Sequence, residues 1–127
     1  MQRMVIISAL AFLLIVLIGG FCGIKSREIS EEYQLAMEEI EALAETGAWE
    51  AALSLAQRAE ETWNEKSRML GMWVNHGDLD EVSGGLLHIK TALAEKKLFE
   101  TMIYCREVHF ALSHLYHRDA FSLKNIL

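Results

Sequence analysis

The sequence predicts an all-α protein in which an N-terminal transmembrane helix is followed by an antiparallel bundle of three to four helices. Three observations support this fold class. The 127 residues contain no proline, the residue that most strongly disrupts helix interiors. One long uncharged apolar run lies at the N-terminus. Beyond that run, apolar residues recur at intervals of three and four, as they do on the buried face of a helix.

The N-terminal run is long enough to cross a bilayer. It extends from Met4 to Ile24, and 17 of its 21 uncharged residues are hydrophobic. At ~1.5 Å per residue, a helix of this length spans roughly 30 Å, the thickness of the hydrocarbon core of a membrane. We therefore interpret residues 1–27 as a membrane anchor with short flanks, and residues 28–127 as a separate helical domain. Representative anchor positions are Met4, Leu10, Leu14, Ile18 and Ile24.

A cleavable signal peptide is the alternative interpretation of the same run, because Arg3 precedes an apolar stretch near the N-terminus. However, the run is long for the apolar region of a signal peptide, and no Ala-x-Ala motif closes it. Cys22 does not mark a lipoprotein cleavage site, since the bulky Phe21 stands where a small residue is needed. These features favour an uncleaved anchor.

The basic residues beside the anchor give conflicting signals about its orientation. Arg3 and the free amine favour a cytoplasmic N-terminus, whereas Lys25 and Arg27 favour a cytoplasmic C-terminal side. An exported body is the commoner arrangement for small proteins with an N-terminal anchor. We therefore expect a single-pass cell-membrane protein whose C-terminal domain is extracytoplasmic, with a cytoplasmic domain as the alternative.

The domain after the anchor is acidic and rich enough in apolar residues to fold. Residues 28–127 contain all eighteen acids and nine of the twelve bases, a net charge of −9. Such a surface repels phosphate backbones, which argues against a nucleic-acid partner. Of these 100 residues, 48 are hydrophobic, which is enough for a core and too many for a disordered tail.

Apolar seams indicate the first two helices of the domain. No helix-breaking residue separates Ile24 from Ile29, so the first helix is expected to continue from the apolar run. Thr46-Gly47 is expected to end it. The first seam consists of Ile29, Tyr33, Ala36, Ile40 and Leu43. The second consists of Trp49, Ala52, Ala56, Ala59, Trp63, Leu70 and Trp73, with Lys66 as its only polar member.

Two further seams indicate the third and fourth helices. Asn75-His76-Gly77 is expected to end the second helix, and Asp78 with Glu81 is expected to start the third through a capping box. The third seam consists of Leu79, Val82, Leu86, Ile89 and Leu93. The fourth consists of Leu98, Met102, Cys105, His109, Leu112 and Tyr116, flanked by Phe99, Ile103, Val108 and Leu115. No breaker marks their boundary near residues 95–98, and residues 121–127 are expected to dock back on the bundle.

Several short segments carry a resemblance to a known family. They are Gly-Ala-Trp-Glu-Ala-Ala at 47–52, Trp63, Trp-Val-Asn-His at 73–76, Leu-Asp-Glu-Val at 79–82 and Ser-Leu-Lys-Asn-Ile-Leu at 122–127. With the N-terminal run, they resemble the small membrane-anchored proteins of clostridia and their relatives that are grouped as domain of unknown function 4363. The resemblance covers nearly the whole chain. It implies the architecture and a partner in the cell envelope, but no chemistry, because the family has no established activity.

Five histidines raise the question of a metal site. His114 and His117 are three residues apart on one predicted helix face, and His109 lies eight residues before His117. Zinc normally needs three or four ligands, and only Asp119 or a residue from another helix would complete the set. We therefore interpret these side chains as exposed histidines and expect no metal and no cofactor. His88 is expected to be a hydrogen-bonded boundary residue.

Three tryptophans and one histidine are candidates for a partner surface. Trp49, Trp63 and Trp73 share one predicted face, where they either pack in the core or line a groove for a partner helix. His76, in a predicted turn between helices, either caps a helix end or contacts a partner. Core packing and capping are favoured. The alternative is a partner surface made by these four residues and Asn125.

The sequence contains no pattern that indicates catalysis. Cys22 is expected at the membrane edge and Cys105 on an inner helix face, so a disulfide between them is not expected. His109 lies one turn from Cys105, but the seam position of that cysteine favours core packing over a nucleophile. There is no glycine-rich phosphate loop, no Ser/His/Asp arrangement in a motif context and no catalytic carboxylate pair. We therefore expect no enzymatic activity.

Together these patterns predict a single-pass membrane-anchored helical protein that acts as an interaction or structural module at the cell envelope. Its expected partners are the lipid bilayer and another membrane or envelope protein, and self-association through the amphipathic first helix is a further expectation. The alternative is a small ligand- or metal-binding sensor domain tethered to the membrane.

Overall fold

Four α-helices account for the chain in a computed structural model, which describes the backbone of residues 1–126 and the side chains of residues 1–115. The helices are α1 (Gln2–Glu45), α2 (Trp49–Leu70), α3 (His76–Ala94) and α4 (Leu98–Ile126). No strand occurs among the described residues. The predicted all-α fold, with a long apolar first helix followed by a helical bundle, is confirmed.

Helix α1 is continuous over 44 residues, which corresponds to ~66 Å at ~1.5 Å per residue. Its N-terminal half extends beyond the bundle, and its C-terminal half is part of the bundle. Burial begins at Ser26 and follows one face of the helix through Ile29, Ser30, Tyr33, Met37, Ile40 and Ala44. The expected continuity across residues 24–29 is therefore confirmed. The domain boundary predicted at residue 27 falls inside this helix and stays a prediction.

The turn between α1 and α2 is made by a glycine in the left-handed conformation. Gly47 has a φ of 78°, and its N–H donates to the carbonyl of Ala44 at 3.0 Å. The N–H of Ala48 donates to the carbonyl of Leu43 at 2.9 Å. These two bonds satisfy carbonyls that the end of the helix leaves without partners. The stop predicted at Thr46-Gly47 is confirmed.

The turn between α3 and α4 has the same geometry without a glycine. Lys96 has a φ of 56°, and its N–H donates to the carbonyl of Leu93 at 3.1 Å. The N–H of Lys97 donates to the carbonyl of Ala92 at 2.9 Å. The sequence offers no breaker here because the left-handed residue is a lysine, whose Cβ makes this conformation unfavourable.

Replacing Lys96 by glycine is therefore expected to stabilise the bundle, by up to about 1 kcal/mol, because the left-handed conformation no longer strains a Cβ. The measurement is the urea midpoint of the full chain in detergent micelles, followed by circular dichroism. Gly47→Ala is the matched control and should lower the midpoint. A Lys96→Gly variant that is less stable than the parent would contradict this account of the turn.

The predicted boundary between α2 and α3 is wrong by several residues. Helix α2 ends at Leu70, and Asn75 is the N-cap of α3, where its Oδ1 accepts a hydrogen bond from the N–H of Gly77 at 2.7 Å. Asn75-His76-Gly77 therefore begins α3 and does not end α2, and the Asp78–Glu81 capping box is replaced by the asparagine cap. Val74, in the loop between the two helices, is buried in the core.

The bundle is a closed arrangement of four helices. Helix α1 packs against α2 and α4, and α3 packs against the same two helices. Alanines 52, 56 and 59 of α2 are buried, and their small side chains allow close approach of neighbouring helices.

The seam predicted for α4 is rotated relative to the observed one. The buried residues are Thr101, Cys105, Val108, Ala111, Leu112 and Leu115. Leu98 is exposed, and Met102 and His109 are only partly buried, whereas Val108 and Leu115 move from the predicted flanks to the centre. The buried hydroxyl of Thr101 donates to the carbonyl of Lys97 at 2.7 Å, so this polar residue fits the inner face.

Candidate functional site

The N-terminal half of α1 is an apolar helix without protein around it. Within the described residues, α1 is the one helix long and apolar enough to cross a membrane. The most apolar stretch is not buried in the bundle, and Met4, Leu10, Leu14, Ile18 and Ile24 are 53–75% exposed. Large apolar side chains over so long a helix are not stable in water, which makes this surface the first candidate functional feature.

Trp63 belongs to the core and not to a surface. Its side chain is 0% exposed, and its indole N–H donates to Oγ of Ser83 on α3 at 2.9 Å. Its ring contacts the Tyr33 ring of α1 edge-on, with 5.2 Å between the centroids. The Tyr33 hydroxyl in turn lies 2.6 Å from Oγ1 of Thr62. Trp63 therefore joins α1, α2 and α3, and its inclusion in a partner surface is wrong.

Trp73 ties the loop between α2 and α3 to α1. Its indole N–H donates to Oγ of Ser26 at 2.8 Å, and Ser26 is fully buried. Ser26 lies two residues after Ile24, where the apolar run ends. The loop is thus fastened to α1 at the end of the bundle that faces the apolar half of that helix.

Trp49 is partly buried and packs on the core at the N-terminus of α2. The three tryptophans therefore do not form one exposed stripe.

Helices α1 and α4 are antiparallel and are joined by polar contacts at intervals along their length. The buried hydroxyl of Ser30 donates to the carbonyl of Leu112 at 2.6 Å. Nε2 of Gln34 donates to the carbonyl of His109 at 3.3 Å. Farther along, Arg106 Nε lies 3.9 Å from a Glu41 carboxylate oxygen. As the α1 number rises from Ser30 to Glu41, the α4 number falls from Leu112 to Arg106, so the two helices run antiparallel over this stretch.

The charged groups at this contact are mostly at the surface. Nε2 of His109 lies 3.4 Å from a carboxylate oxygen of Glu38. Burial raises the pKa of Glu41, and the positive charge of Arg106 opposes that increase. Such half-exposed pairs contribute little to stability. The register between α1 and α4 is instead set by the hydrogen bonds from Ser30 and Gln34 to the backbone carbonyls of Leu112 and His109.

His76 is exposed at the start of α3 and borders a shallow pocket of about 370 Å³. The pocket lies between α2 and α3 and is lined by Ser67, Arg68, Gly71, Met72, His76, Leu79, Asp80 and Ser83. His76 packs close to Gly71, because a Cβ added there would lie 3.2 Å from Cε1 of the imidazole. Asn125, the other polar residue of the predicted partner surface, lies outside the described side chains.

A larger cleft of about 580 Å³ separates α3 from the outer side of α4. Its polar lining is Asp78, Asp80, Glu81, His88, Glu107 and His114, and its apolar lining includes Phe110. His114 packs edge-on against Phe110, with ring centroids 4.4 Å apart, and His88 packs against Tyr104 at 4.9 Å. The cleft is thus acidic with an aromatic wall. It was not predicted, because Glu107 and the aromatic wall of α4 are far in sequence from the three carboxylates at 78–81.

No three His, Cys, Asp or Glu residues are placed to hold a metal ion within the side chains that the structure describes. His109 and His114 are engaged with Glu38 and Phe110, respectively. The predicted third histidine, His117, and Asp119 lie outside the described side chains.

The two cysteines are both free thiols. Cys105 is fully buried, and the loss of solvation raises the pKa of its thiol to about 12. At neutral pH the thiol is therefore protonated, which does not suit a nucleophile. Its environment is that of a core residue, as the seam position predicted.

Three apolar residues of α4 point away from the bundle. Phe99 and Phe110 are 76% and 65% exposed, and Ile103 is 38% exposed. Their spacing of four and seven residues puts them on one face, opposite Cys105 and Leu112. We call Phe99, Ile103 and Phe110 the outer α4 stripe. The predicted seam of α4 was rotated from the observed one, and Phe99 and Ile103 were therefore placed beside the core. The three- and four-residue spacing of positions 101, 105, 108, 112 and 115 is the pattern that would have predicted the buried face correctly.

Comparison with known families identifies the chain. The model of the family described as domain of unknown function (DUF4363) matches residues 25–126. No curated protein and no solved structure matches the chain. Because the match covers the whole of the bundle, the chain belongs to this family, as the resemblance predicted.

Proposed function

We propose that this member of the DUF4363 family is a single-pass membrane protein whose acidic helical bundle binds another protein at the membrane surface. The observation that carries the proposal is the construction of α1. One unbroken helix has large exposed apolar side chains over its first half and contributes a buried face to the bundle over its second half. A membrane around the first half would remove that apolar surface from water.

The bundle would then be held at a fixed distance from the bilayer, because α1 continues from the apolar run to Glu45 without a linker. Trp73 and Ser26 add a second connection at the same level. A rigid connection of this kind suits a module that presents a surface and has no need to reorient. The outer α4 stripe is the surface that best fits a protein partner, since exposed aromatic residues are enriched at binding hot spots.

Two arginines in the apolar half of α1 are expected to abolish stable membrane insertion. A charged residue near the centre of a transmembrane helix costs about 2.5–3.5 kcal/mol on insertion scales, so Leu10→Arg with Leu14→Arg should move the protein from the carbonate-resistant membrane fraction to the soluble or aggregated fraction. The matched control is Leu35→Arg with Met72→Arg, at exposed positions of the bundle. Its fractionation should equal that of the parent.

The same experiment tests the signal-peptide alternative. An uncleaved anchor leaves the protein in the membrane with residues 1–27 attached, which mass spectrometry of the extracted protein detects. A parent chain recovered in the soluble fraction without its apolar run would contradict the anchor. Orientation is tested with a cysteine at exposed Glu50 after Cys22 and Cys105 are replaced. We expect an impermeant maleimide to label it in intact cells; labelling only after lysis would place the bundle in the cytoplasm.

Binding of a partner protein is tested by a photo-reactive amino acid in the full-length protein. Placed at Phe110, it should yield a discrete crosslinked species in membranes, and Phe99→Asp in the same chain should reduce the yield. The control position is Gln57, an exposed residue of α2. Equal crosslinking from both positions, or from neither, would contradict a partner surface on α4.

A ligand-binding sensor is the second candidate function, and the acidic cleft between α3 and α4 favours it. Four carboxylates and an aromatic wall would suit a cationic organic ligand better than an anion. Thermal unfolding of the full chain with spermidine is the first test. A midpoint that rises with spermidine, and no longer does so in Asp80→Asn with Glu107→Gln, would favour the sensor. An unchanged midpoint would exclude a polyamine ligand.

A further inference from the structure

The loop between α2 and α3, residues 71–75, lies at the level where the apolar run of α1 ends. The indole N–H of Trp73 donates to Oγ of Ser26 at 2.8 Å. Ser26 is two residues beyond Ile24, or ~3 Å along the helix. The headgroup layer on each side of a bilayer is roughly 5–7 Å thick. A membrane around the apolar run therefore brings this loop into the headgroup layer.

The segment that contains this loop differs in charge from the rest of the domain. Residues 66–77, Lys-Ser-Arg-Met-Leu-Gly-Met-Trp-Val-Asn-His-Gly, contain two bases and no acid. The turn between α1 and α2, at the opposite end of the bundle, has the reverse pattern, because residues 45–50 contain two acids and no base. An anionic membrane surface would attract the first segment and repel the second.

Met72 is an apolar side chain of this loop that the fold leaves in solvent. It is 81% exposed, the highest value for a large apolar side chain among the described residues of the bundle. Its neighbours Leu70 and Val74 are buried, and Trp73 packs partly on the core. The loop is thus held by its other apolar residues, and contact with lipid would remove the Met72 side chain from water.

Arg68 provides a positive charge beside Met72. The two residues line the same pocket between α2 and α3. The exposed Arg68 donates from Nε to the carbonyl of Asn64 at 3.2 Å, and the other N–H groups of a guanidinium suit a phosphate. Asp80, the acid in the pocket lining, lies four residues after the start of α3, or ~6 Å farther from the level of the loop.

We propose that the loop between α2 and α3 is a lipid-contacting surface, with Met72 at the boundary between headgroups and acyl chains and Arg68 beside the phosphates of anionic lipids. The bundle would then touch the bilayer at this loop as well as at the apolar run, which would fix its tilt. This inference rests on the proposed membrane anchor, and its test distinguishes the two. Fractionation does not test it, because the apolar run by itself would keep the protein in the membrane.

The test measures the depth of nitrobenzoxadiazole, an environment-sensitive fluorophore, on single cysteines. The full-length protein, with Cys22 and Cys105 replaced by serine, is reconstituted in vesicles of phosphatidylcholine and phosphatidylglycerol. The label is attached at Met72→Cys, Gln57→Cys or Glu50→Cys. A lipid with a nitroxide in its headgroup should quench position 72 several-fold more than the two controls, which are exposed on α2 and lie ~20 Å and ~30 Å from the C-terminal end of that helix. Equal quenching at positions 72 and 57 would overturn the proposal.

A matched pair of arginine variants tests the contact with anionic lipid. Omission of phosphatidylglycerol should lower the quenching at Met72→Cys, and Arg68→Gln should remove most of this dependence. Arg58→Gln should retain it, because Arg58 is exposed on the same helix ~18 Å from the C-terminal end, beyond the ~8–10 Å over which charges interact in physiological salt. Equal effects of the two variants would overturn the role of Arg68.

A label at Leu14→Cys distinguishes failure of the loop contact from failure of the anchor. A nitroxide in the middle of the acyl chain should quench it, because Leu14 is at the centre of the apolar run. If position 14 is quenched and position 72 is not, the loop contact is overturned and the anchor stands. If position 72 is quenched and position 14 is not, the loop contact stands and the anchor fails. Quenching at neither position would overturn both.

Discussion

Alanine at Gly85 is expected to destabilise the bundle by about 1–3 kcal/mol, the usual range for adding a methyl group to a close-packed interface. Gly85 lies on α3, where that helix meets α4. A Cβ added there would overlap Cγ2 of Val108 and come within 3.6 Å of its Cβ. Val108 is itself buried and has few rotamers to move into on a helix. The two helix backbones would have to separate.

Gly84 provides the matched control for this prediction. It is next to Gly85 on the same helix, yet a Cβ added to it has no neighbour within 4 Å. Gly84→Ala should therefore stabilise α3 by up to about 1 kcal/mol, because glycine is a poor helix former. Urea unfolding of the full chain in detergent measures both. If both alanines shift the midpoint in the same direction, α3 and α4 do not approach each other as described.

The second large effect is expected at Trp63, where substitution by alanine should destabilise the bundle by about 3–5 kcal/mol. Trp63 has the largest of the fully buried side chains, and alanine at this position would leave a cavity among α1, α2 and α3. Its loss would also remove the edge-on contact with Tyr33 and leave the hydroxyl of Ser83 without the indole N–H. The first consequence acts on α1, which also carries the apolar run, and the second acts on α3.

Two variants separate the contributions at this site. Trp63→Phe keeps most of the apolar volume but loses the bond to Ser83, so it should cost clearly less than alanine. Trp49→Ala removes a tryptophan that is only partly buried at the edge of the core and should cost less than Trp63→Ala. Fluorescence and circular dichroism of urea unfolding provide the free energies. A Trp63→Ala variant no less stable than Trp49→Ala would contradict the core assignment.

Much of the architecture could be predicted because it depends on local composition. The stop at Gly47 is confirmed because glycine adopts a positive φ without strain, and the continuity of α1 is confirmed because nothing between Ile24 and Ile29 interrupts a helix. Errors occurred where a residue has two local roles. Asn75 can end one helix or begin the next, and its hydrogen bond to Gly77 assigns it to the second.

The candidate surfaces were less predictable than the helices. Apolar residues at every third or fourth position of a helix are compatible with several rotations of that helix about its axis. This ambiguity is large for α4, which has apolar residues on several sides. The sequence therefore placed Phe99 and Ile103 near the core and offered the tryptophans as a surface, whereas the fold exposes Phe99 and buries Trp63. The acidic cleft was not predicted because Asp80 and Glu107 come together only when α3 packs on α4.

By itself, the sequence determined that this protein is helical, that one apolar helix lies at its N-terminus and that the remainder forms an acidic bundle. These properties follow from residue propensities and from the period of apolar residues within one helix. Only the tertiary structure decided which face of α4 is inside, where α2 ends and which tryptophan is in the core. Those outcomes depend on contacts between distant residues, such as Trp73 with Ser26 and Gly85 with Val108, and no local pattern encodes the geometry of such pairs.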